Sequence, residues 1–316
     1  MKRIFDLTLK DITKMDAIDL KETIKASEGR TIMAEVIVSY TPYIKGVSNI
    51  EMAAGFGADM ITLNVFDFEK PFIFGIDDEQ LDLLGGFEDY LSKVPDIIKS
   101  NSQDKDYIAR IKNLTGRFLG VNLEPVPEGT HYKTGLQLNK ANLEAVKRYG
   151  FDYIMITGNP NTGVNHDTIK EGIALAKKIL GNEVLIIAGK MHGAGSGNIE
   201  SKDTLTQFVQ AGADVILFPA PGTVPGFDVN RVKEMTDAVH GAGALAMSAI
   251  GTSQEGASQA VIENFGIMSK MAGVDIQHIG DCGSFGMALP ENIMALSVAV
   301  RGIRHTYKRM ALSINR

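Results

Sequence analysis

The sequence predicts an α/β fold, a single (β/α)8 (TIM) barrel over residues 1–316, and three observations carry that reading. The first is a glycine that ends a helical pattern and precedes an apolar run, at Gly29, Gly57, Gly116, Gly150, Gly181, Gly212, Gly241 and Gly273. Helices favour glycine just past their ends, where φ turns positive and the chain can enter the next strand. The second is spacing. From Gly150 onward, subtraction of positions gives intervals of 31, 31, 29 and 32 residues, which suit one strand, one helix and two connections. The third is that no G-x-G-x-x-G follows the first strand, which counts against the rival doubly wound sheet. The chain is long for one domain, but such barrels reach ~250 residues or more around one core.

In chain order, an extra helix over 16–26 is expected to close the bottom of the barrel. Strands are predicted at 31–38, 60–66, 118–123, 153–157, 184–188, 215–218, 244–249 and 274–279. Most are continuous apolar runs, as expected of strands covered on both faces. Helices are predicted at 140–149, 168–180, 229–240 and 290–306, the last opened by Pro290 in its first turn. Four units also share an aspartate two residues after the glycine: Asp59, Asp152, Asp214 and Asp275. One interval is anomalous. Gly57 and Gly116 are 59 residues apart, so an insertion lies between strands two and three. Its segment 68–86 mixes Phe72, Ile73 and Phe74 with Asp77, Asp78 and Glu79, and reads as a lid or an oligomer contact, which makes a homo-oligomer one expectation.

With 44% hydrophobic and 22% charged residues, the chain can bury a large core. A net charge of −6 lacks the clustered basic surface that nucleic acid requires, so a small-molecule partner is expected. Charges in the first fourteen residues interrupt any signal peptide, and the apolar stretch 287–300 is too short to span a bilayer, so a cytoplasmic protein without membrane contact is expected. The single cysteine, Cys282, excludes an intramolecular disulfide and a cysteine zinc site, and reads as a small filler.

Side-chain alternation selects the inward residues. In strand three Leu119, Val121 and Leu123 share the outer face, which leaves Asn122 and Glu124 inside. The same rule places Glu35, Asn64, Thr157 and Asn159 inward in strands one, two and four, Lys190 and His192 at the end of strand five, and Ser248 in strand seven. It turns His278 outward, with Gln277 and Ile279 inside. The inward polar groups lie at the C-terminal ends of their strands, where active sites of this fold sit, and Glu35, Glu124, Lys190 and Ser248 come from alternate strands that share one layer. A buried lysine beside carboxylates is suited to be nucleophile, base or fixed cation. The alternative is an ion pair that plugs the barrel. His192 lies in the glycine-rich loop 189–197, which favours a functional role.

Glycine-rich loops also follow strands seven and eight, where this fold grips phosphate. Candidate substrate contacts there are Gly251, Thr252, Ser253, Asp281, Gly283 and Ser284, through backbone N–H groups that converge on an anion. Thr252 and Glu255 also match a capping box, which explains that segment without a ligand.

The half from strand five to strand eight, with Gly212-Ala213-Asp214 before strand six and glycine loops after strands seven and eight, resembles the phosphate-binding (β/α)8 barrels. The whole chain resembles an uncharacterised bacterial barrel family with PEP phosphonomutase-like and haloacid-dehalogenase-like labels. The second label finds no support, because no D-x-D-x-[TV] segment is present. Phosphonomutase relatives of the lyase branch carry an acidic metal-holding cluster and a K-K-C-G-H-type loop, of which Gly189-Lys190-Met191-His192-Gly193 is a loose counterpart; the resemblance assigns no residue role.

The function expected is that of a lyase or isomerase acting on a small phosphorylated or carboxylated metabolite. Lys190 would serve as Schiff-base nucleophile or electrostatic clamp, Glu124 as acid and base, and His192 as proton shuttle. A second reading gives Glu35 and Glu124 to Mg2+ or Mn2+ that stabilises an enolate. A third is a barrel that binds a small molecule without turnover.

Overall fold

The computed structural model describes residues 1–78, 87–159, 162–191 and 201–316. Among them, β1 (Thr31–Ile37), β2 (Met60–Asn64), β3 (Phe118–Leu123), β4 (Tyr153–Ile156), β5 (Leu185–Gly189), β6 (Val215–Pro219), β7 (Leu245–Ile250) and β8 (Ile276–Ile279) pair in parallel, each with its neighbour in sequence, and β8 closes on β1. The helices are α1 (Leu9–Ile12), α2 (Ala17–Ala26), α3 (Asn49–Gly55), α4 (Phe87–Gln103), α5 (Tyr107–Thr115), α6 (Lys140–Tyr149), α7 (His166–Leu180), α8 (Lys202–Ala211), α9 (Val229–Gly241), α10 (Gln259–Met271) and α11 (Pro290–Ala311). The predicted (β/α)8 barrel is therefore the observed fold. No described helix is long and apolar enough to cross a membrane.

Seven of the eight recurrent glycines take positive φ; at the seventh unit Gly243 does so, while Gly241 ends α9. The aspartates that follow them have a common physical role. Asp59, Asp152, Asp214 and Asp275 each accept the backbone N–H of the strand before: Ile32 (3.0 Å), Leu119 (2.8 Å), Ile186 (3.0 Å) and Ala246 (2.8 Å). Each carboxylate thus fastens an even-numbered strand to its odd-numbered predecessor at the barrel floor, where ladder donors would otherwise lack partners. Each also has a basic neighbour: Arg301 and Arg309 for Asp59, Lys112 for Asp152, Lys21 for Asp214 and His240 for Asp275.

Asp59 carries the most. Arg301 Nη1 lies 2.6 Å from Oδ2, and Arg309 Nε lies 2.9 Å from Oδ1 but off the hydrogen-bond direction. All three side chains are wholly buried. Arg117, also buried, spends its guanidinium on carbonyls that include Ala58 O and Ala54 O. Because α11 breaks at Gly302 (φ 75°, ψ 161°), Asp59 holds a residue from each side of the break.

Two apolar layers result. Inside the barrel, Met33, Met60, Phe118, Tyr153, Leu185, Val215, Leu245 and Ile276 meet Ala17, Leu20 and Ile24 of α2, which closes the floor as expected. Outside, residues of the opposite parity pack under the helices. Gly120 is inward, and a Cβ there would collide with the Tyr153 ring, so the ring crosses the interior and its hydroxyl meets Thr62 Oγ1 at 2.9 Å. The insertion contributes α4 and a turn anchored by Asp77, which accepts from Ile73 N (2.6 Å) and Tyr107 Oη (2.5 Å); burial pushes its carboxyl up despite both bonds. The rest of the segment expected to form a lid, 79–86, lies outside the described residues.

Candidate active site

Parity read from the inner layer places the predicted residues. Glu35, Asn64, Asn122 and Thr157 continue the inward faces of β1 to β4, all buried except the half-buried Asn64. Asn122 Nδ2 donates to Glu35 Oε1, and Asn64 Nδ2 donates to Asp281 Oδ2 at 2.7 Å. Glu124 follows β3 and is buried. It accepts from Tyr132 Oη (2.5 Å), from Asn159 Nδ2 and from Asn159 N (3.1 Å), and burial together with that carboxylate holds the Tyr132 phenol well above its usual range.

Three expectations need correction. Ser248 does not face the interior: Leu245, Met247 and Ala249 fill that side, and Ser248 pairs in register with Phe218 of the outer layer. His278 is the reverse case. It pairs with Met33 and Ala249, both inward, and its Nε2 lies 3.4 Å from Glu35 Oε2 with no exposed surface. Lys190 is buried just past the end of β5, beyond Gly189 at φ 147°, where strand alternation no longer assigns a face. With Ser248 turned outward, the expected layer of Glu35, Glu124, Lys190 and Ser248 is not assembled. His192 lies outside the described residues.

The residue that sequence reasoning assigned elsewhere is Glu255. No capping box forms: Ser253 (φ 66°) precedes a 3-10 turn over Gln254–Gly256, and α10 starts later, after Ser258. Glu255 turns into the barrel mouth instead, against Gly280, where a Cβ would collide with its Oε1. The absent Cβ is the physical use of that glycine. Burial pushes the Glu255 carboxyl up to about 7; the charges of Asp281 and Glu35 add to the rise, while its own backbone N–H and His278 oppose it. Burial and Glu35 likewise raise Asp281 to about 6, against its bonds to Asn64 and to Gly283 N (2.8 Å).

The mouth therefore brings Glu35 and His278 as a buried pair beside two carboxyls that burial holds above the usual carboxylate range. The inward positions just past β7 and β8 are Gly251 and Gly280, and the Glu255 carboxyl takes the space that Gly280 leaves. The anion grip expected of the glycine loops is not what Gly283 provides, since Asp281 already takes its N–H. Thr252 and Ser253 are exposed with positive φ, and Ser284 lies in the turn Gly283–Phe285. Cys282 adjoins this cluster, and burial with the two carboxylates pushes its thiol up.

A Mg2+ or Mn2+ ion would need several hard oxygen donors converging on one point. Among the described residues no group of three His, Cys, Asp or Glu side chains does so. Both Asp281 oxygens and Glu35 Oε1 are engaged by Asn64, Gly283 and Asn122, and Glu35 Oε2 faces His278. Among the described residues these donors therefore form no complete metal site. A cavity of about 640 Å3 lies at the opposite end, under α2. Its Asp214, Asp275 and His240 are tied to the strand brackets, which makes it part of the floor.

A family model described as "Domain of unknown function (DUF7916)" matches residues 5–316. No curated protein resembles the sequence closely enough to count as a match. Among solved structures, the carboxyl transferase domain of Rhizobium etli pyruvate carboxylase with 3-bromopyruvate shares 12% identity, with 96% of this chain and 52% of that chain covered and a TM-score of 0.50. A 2,3-dimethylmalate lyase of the PEP mutase/isocitrate lyase superfamily shares 16% identity over 89% of this chain and 82% of its own, at TM-score 0.49. The YdjI aldolase of Escherichia coli K12 shares 11% over 92% and 95%, also at 0.49. At such identities the likeness is one of fold.

Proposed function

Given that the chain belongs to the DUF7916 family, we propose from its own site that it is an enzyme, a lyase or isomerase, that moves a proton within a small polar metabolite held at the C-terminal mouth of the barrel. The observation that carries this reading is the convergence of Glu255, His278, Glu35 and Asp281 on one wall. General acid–base catalysis works best when the catalytic pKa lies near the operating pH, and Glu255, at about 7, meets that condition. Glu255 exchanges the proton with substrate. The Glu35–His278 pair and Asp281 set how readily it does so, and Asn122, Asn64 and Thr157 supply hydrogen bonds that orient the substrate. Glu124, fixed by Tyr132 and Asn159, stands over β3 and β4 as a second carboxylate.

The experiment is solvent exchange. Candidate metabolites, 2-oxo acids and hydroxylated carbonyl compounds among them, are incubated with the protein in D2O, and deuterium entry at carbon is followed by NMR. The wild type is expected to catalyse exchange in at least one of them, and Glu255→Gln to slow it by about 100-fold or more, the usual worth of a general base. Undiminished exchange in Glu255→Gln would remove Glu255 from the mechanism. A borohydride adduct at Lys190 would replace this reading with Schiff-base chemistry.

A further inference from the structure

The mouth contains polar atoms that the described residues leave unanswered. Among the described residues, Glu255 Oε2 and Asn122 Oδ1 have no hydrogen-bond partner, and neither does His278 Nδ1. Their side chains are 5%, 8% and 0% exposed. Buried polar groups are normally paired, and an unpaired acceptor costs about 1–3 kcal/mol, so a cluster of them at a candidate site calls for a ligand. The two from Glu255 and Asn122 are acceptors, and they ask for N–H or O–H donors. Three carboxylates gather on this wall. Glu35, Asp281 and Glu255 are close enough for the charges of Glu35 and Asp281 to act on Glu255. A phosphate or carboxylate offers acceptors to acceptors and negative charge to negative charge.

The rim next to this wall is apolar. Ile37 N donates to Gly286 O (2.8 Å) and Val36 bridges to Met287, so the loop after β8 is sewn to the end of β1. That seam sets Phe285 beside Tyr40, Pro42, Tyr43 and Phe74 around a shallow cavity of about 520 Å3. Tyr40, Tyr43 and Phe285 are exposed. Aromatic faces attract cations and pack on carbon skeletons, and they do neither for a small anion.

We propose that the substrate recognised at this mouth carries an ammonium group, whose N–H donors meet Glu255 Oε2 and Asn122 Oδ1 while its positive charge answers Glu35 and Asp281 and its carbon skeleton lies toward Tyr40 and Phe285. This deepens the acid–base reading above and rests on the same mouth, but it is a statement about binding. An amine with its ammonium on the acidic wall places the adjoining carbons against Glu255.

The test uses four-carbon probes that differ only at their ends: 4-amino-1-butanol, 1,4-butanediol and succinate, titrated by calorimetry into the full chain at pH 7 in EDTA. Magnesium and manganese chloride, without EDTA, form separate arms. The amine is expected to bind at least about tenfold more tightly than the diol, with succinate weakest. Glu255→Gln and Asp281→Asn should each erase most of the amine's advantage while the diol's affinity holds, and Tyr40→Ala should weaken amine and diol together. Succinate or inorganic phosphate binding as tightly as the amine overturns the proposal. So does tight metal binding with no amine binding in EDTA, and so does the absence of binding by all three probes. Circular dichroism of each variant separates lost folding from lost binding. Amine selectivity without any proton exchange would defeat only the acid–base reading, whereas exchange in a 2-oxo acid with no affinity for the amine would defeat only this one.

Discussion

Glu255→Gln should make the protein more stable in alkaline than in acid solution relative to the wild type. The carboxyl is raised from an ordinary 4.5 to about 7 by burial and by its acidic neighbours. Between those values the folded chain keeps a proton that the unfolded chain has released, so wild-type stability falls as pH rises through the window and levels off above it. At about 1.4 kcal/mol per tenfold, the loss between pH 5 and pH 8 is about 2 kcal/mol. Glutamine has nearly the same shape and does not titrate. The melting temperature of the variant minus that of the wild type should therefore grow by about 5 °C over this range, taking 2–4 °C per kcal/mol for a chain of this size. Scanning calorimetry at constant ionic strength between pH 5 and pH 8 reads the difference directly. A gap that stays constant, or narrows with rising pH, would show that Glu255 is ionised throughout and is not an acid–base group tuned to neutrality.

Asp281→Asn removes one charge that raises Glu255, and should move the pH at which that fall levels off to a lower value in the same calorimetric series. Asp59→Asn leaves the wholly buried Arg301 and Arg309 without their carboxylate, and should cost about 3–5 kcal/mol, read as a melting point lowered by about 10 °C. Asp59→Ala behaving like the wild type would refute the clasp. Gly280→Ala places a Cβ where the Glu255 carboxyl stands, so it should abolish proton exchange and the pH dependence of the melting point together. His240, raised by its bond to Asp275, lends stability that is complete below its ordinary pKa of 6.5 and fades as pH climbs through the raised value. Because the side chain is 40% exposed, solvent screens the pair, and His240→Gln should lower the melting point by only a degree or two at pH 6 and by less at pH 9.

The barrel was legible in the sequence because its repeat is a local property. A glycine with positive φ after a helix, in four units an aspartate two residues on, and a β run beyond are dictated by backbone geometry and by the need to satisfy the N–H of the second residue of the preceding strand. Strand three also revealed its inner face, since Leu119, Val121 and Leu123 alternate with Gly120, Asn122 and Glu124. Strands seven and eight did not. Both faces of a parallel barrel strand are buried, so Ala246, Met247, Ala249 and Ile250 carry no sign of direction, and Ser248 and His278 were assigned to the wrong sides. Only the register against β1 and β6 decides them, and that register is a long-range fact. Glu255 shows the same limit. Its spacing from Thr252 satisfies a local rule for a helix cap, yet the space left by Gly280, a strand away, gives the carboxyl a buried position facing Asp281 and His278. Periodicity and turn chemistry act over a few residues and specify the elements. Which side chains meet at the mouth depends on how eight strands close, because closure alone brings residues 35, 255, 278 and 281 within reach of one another.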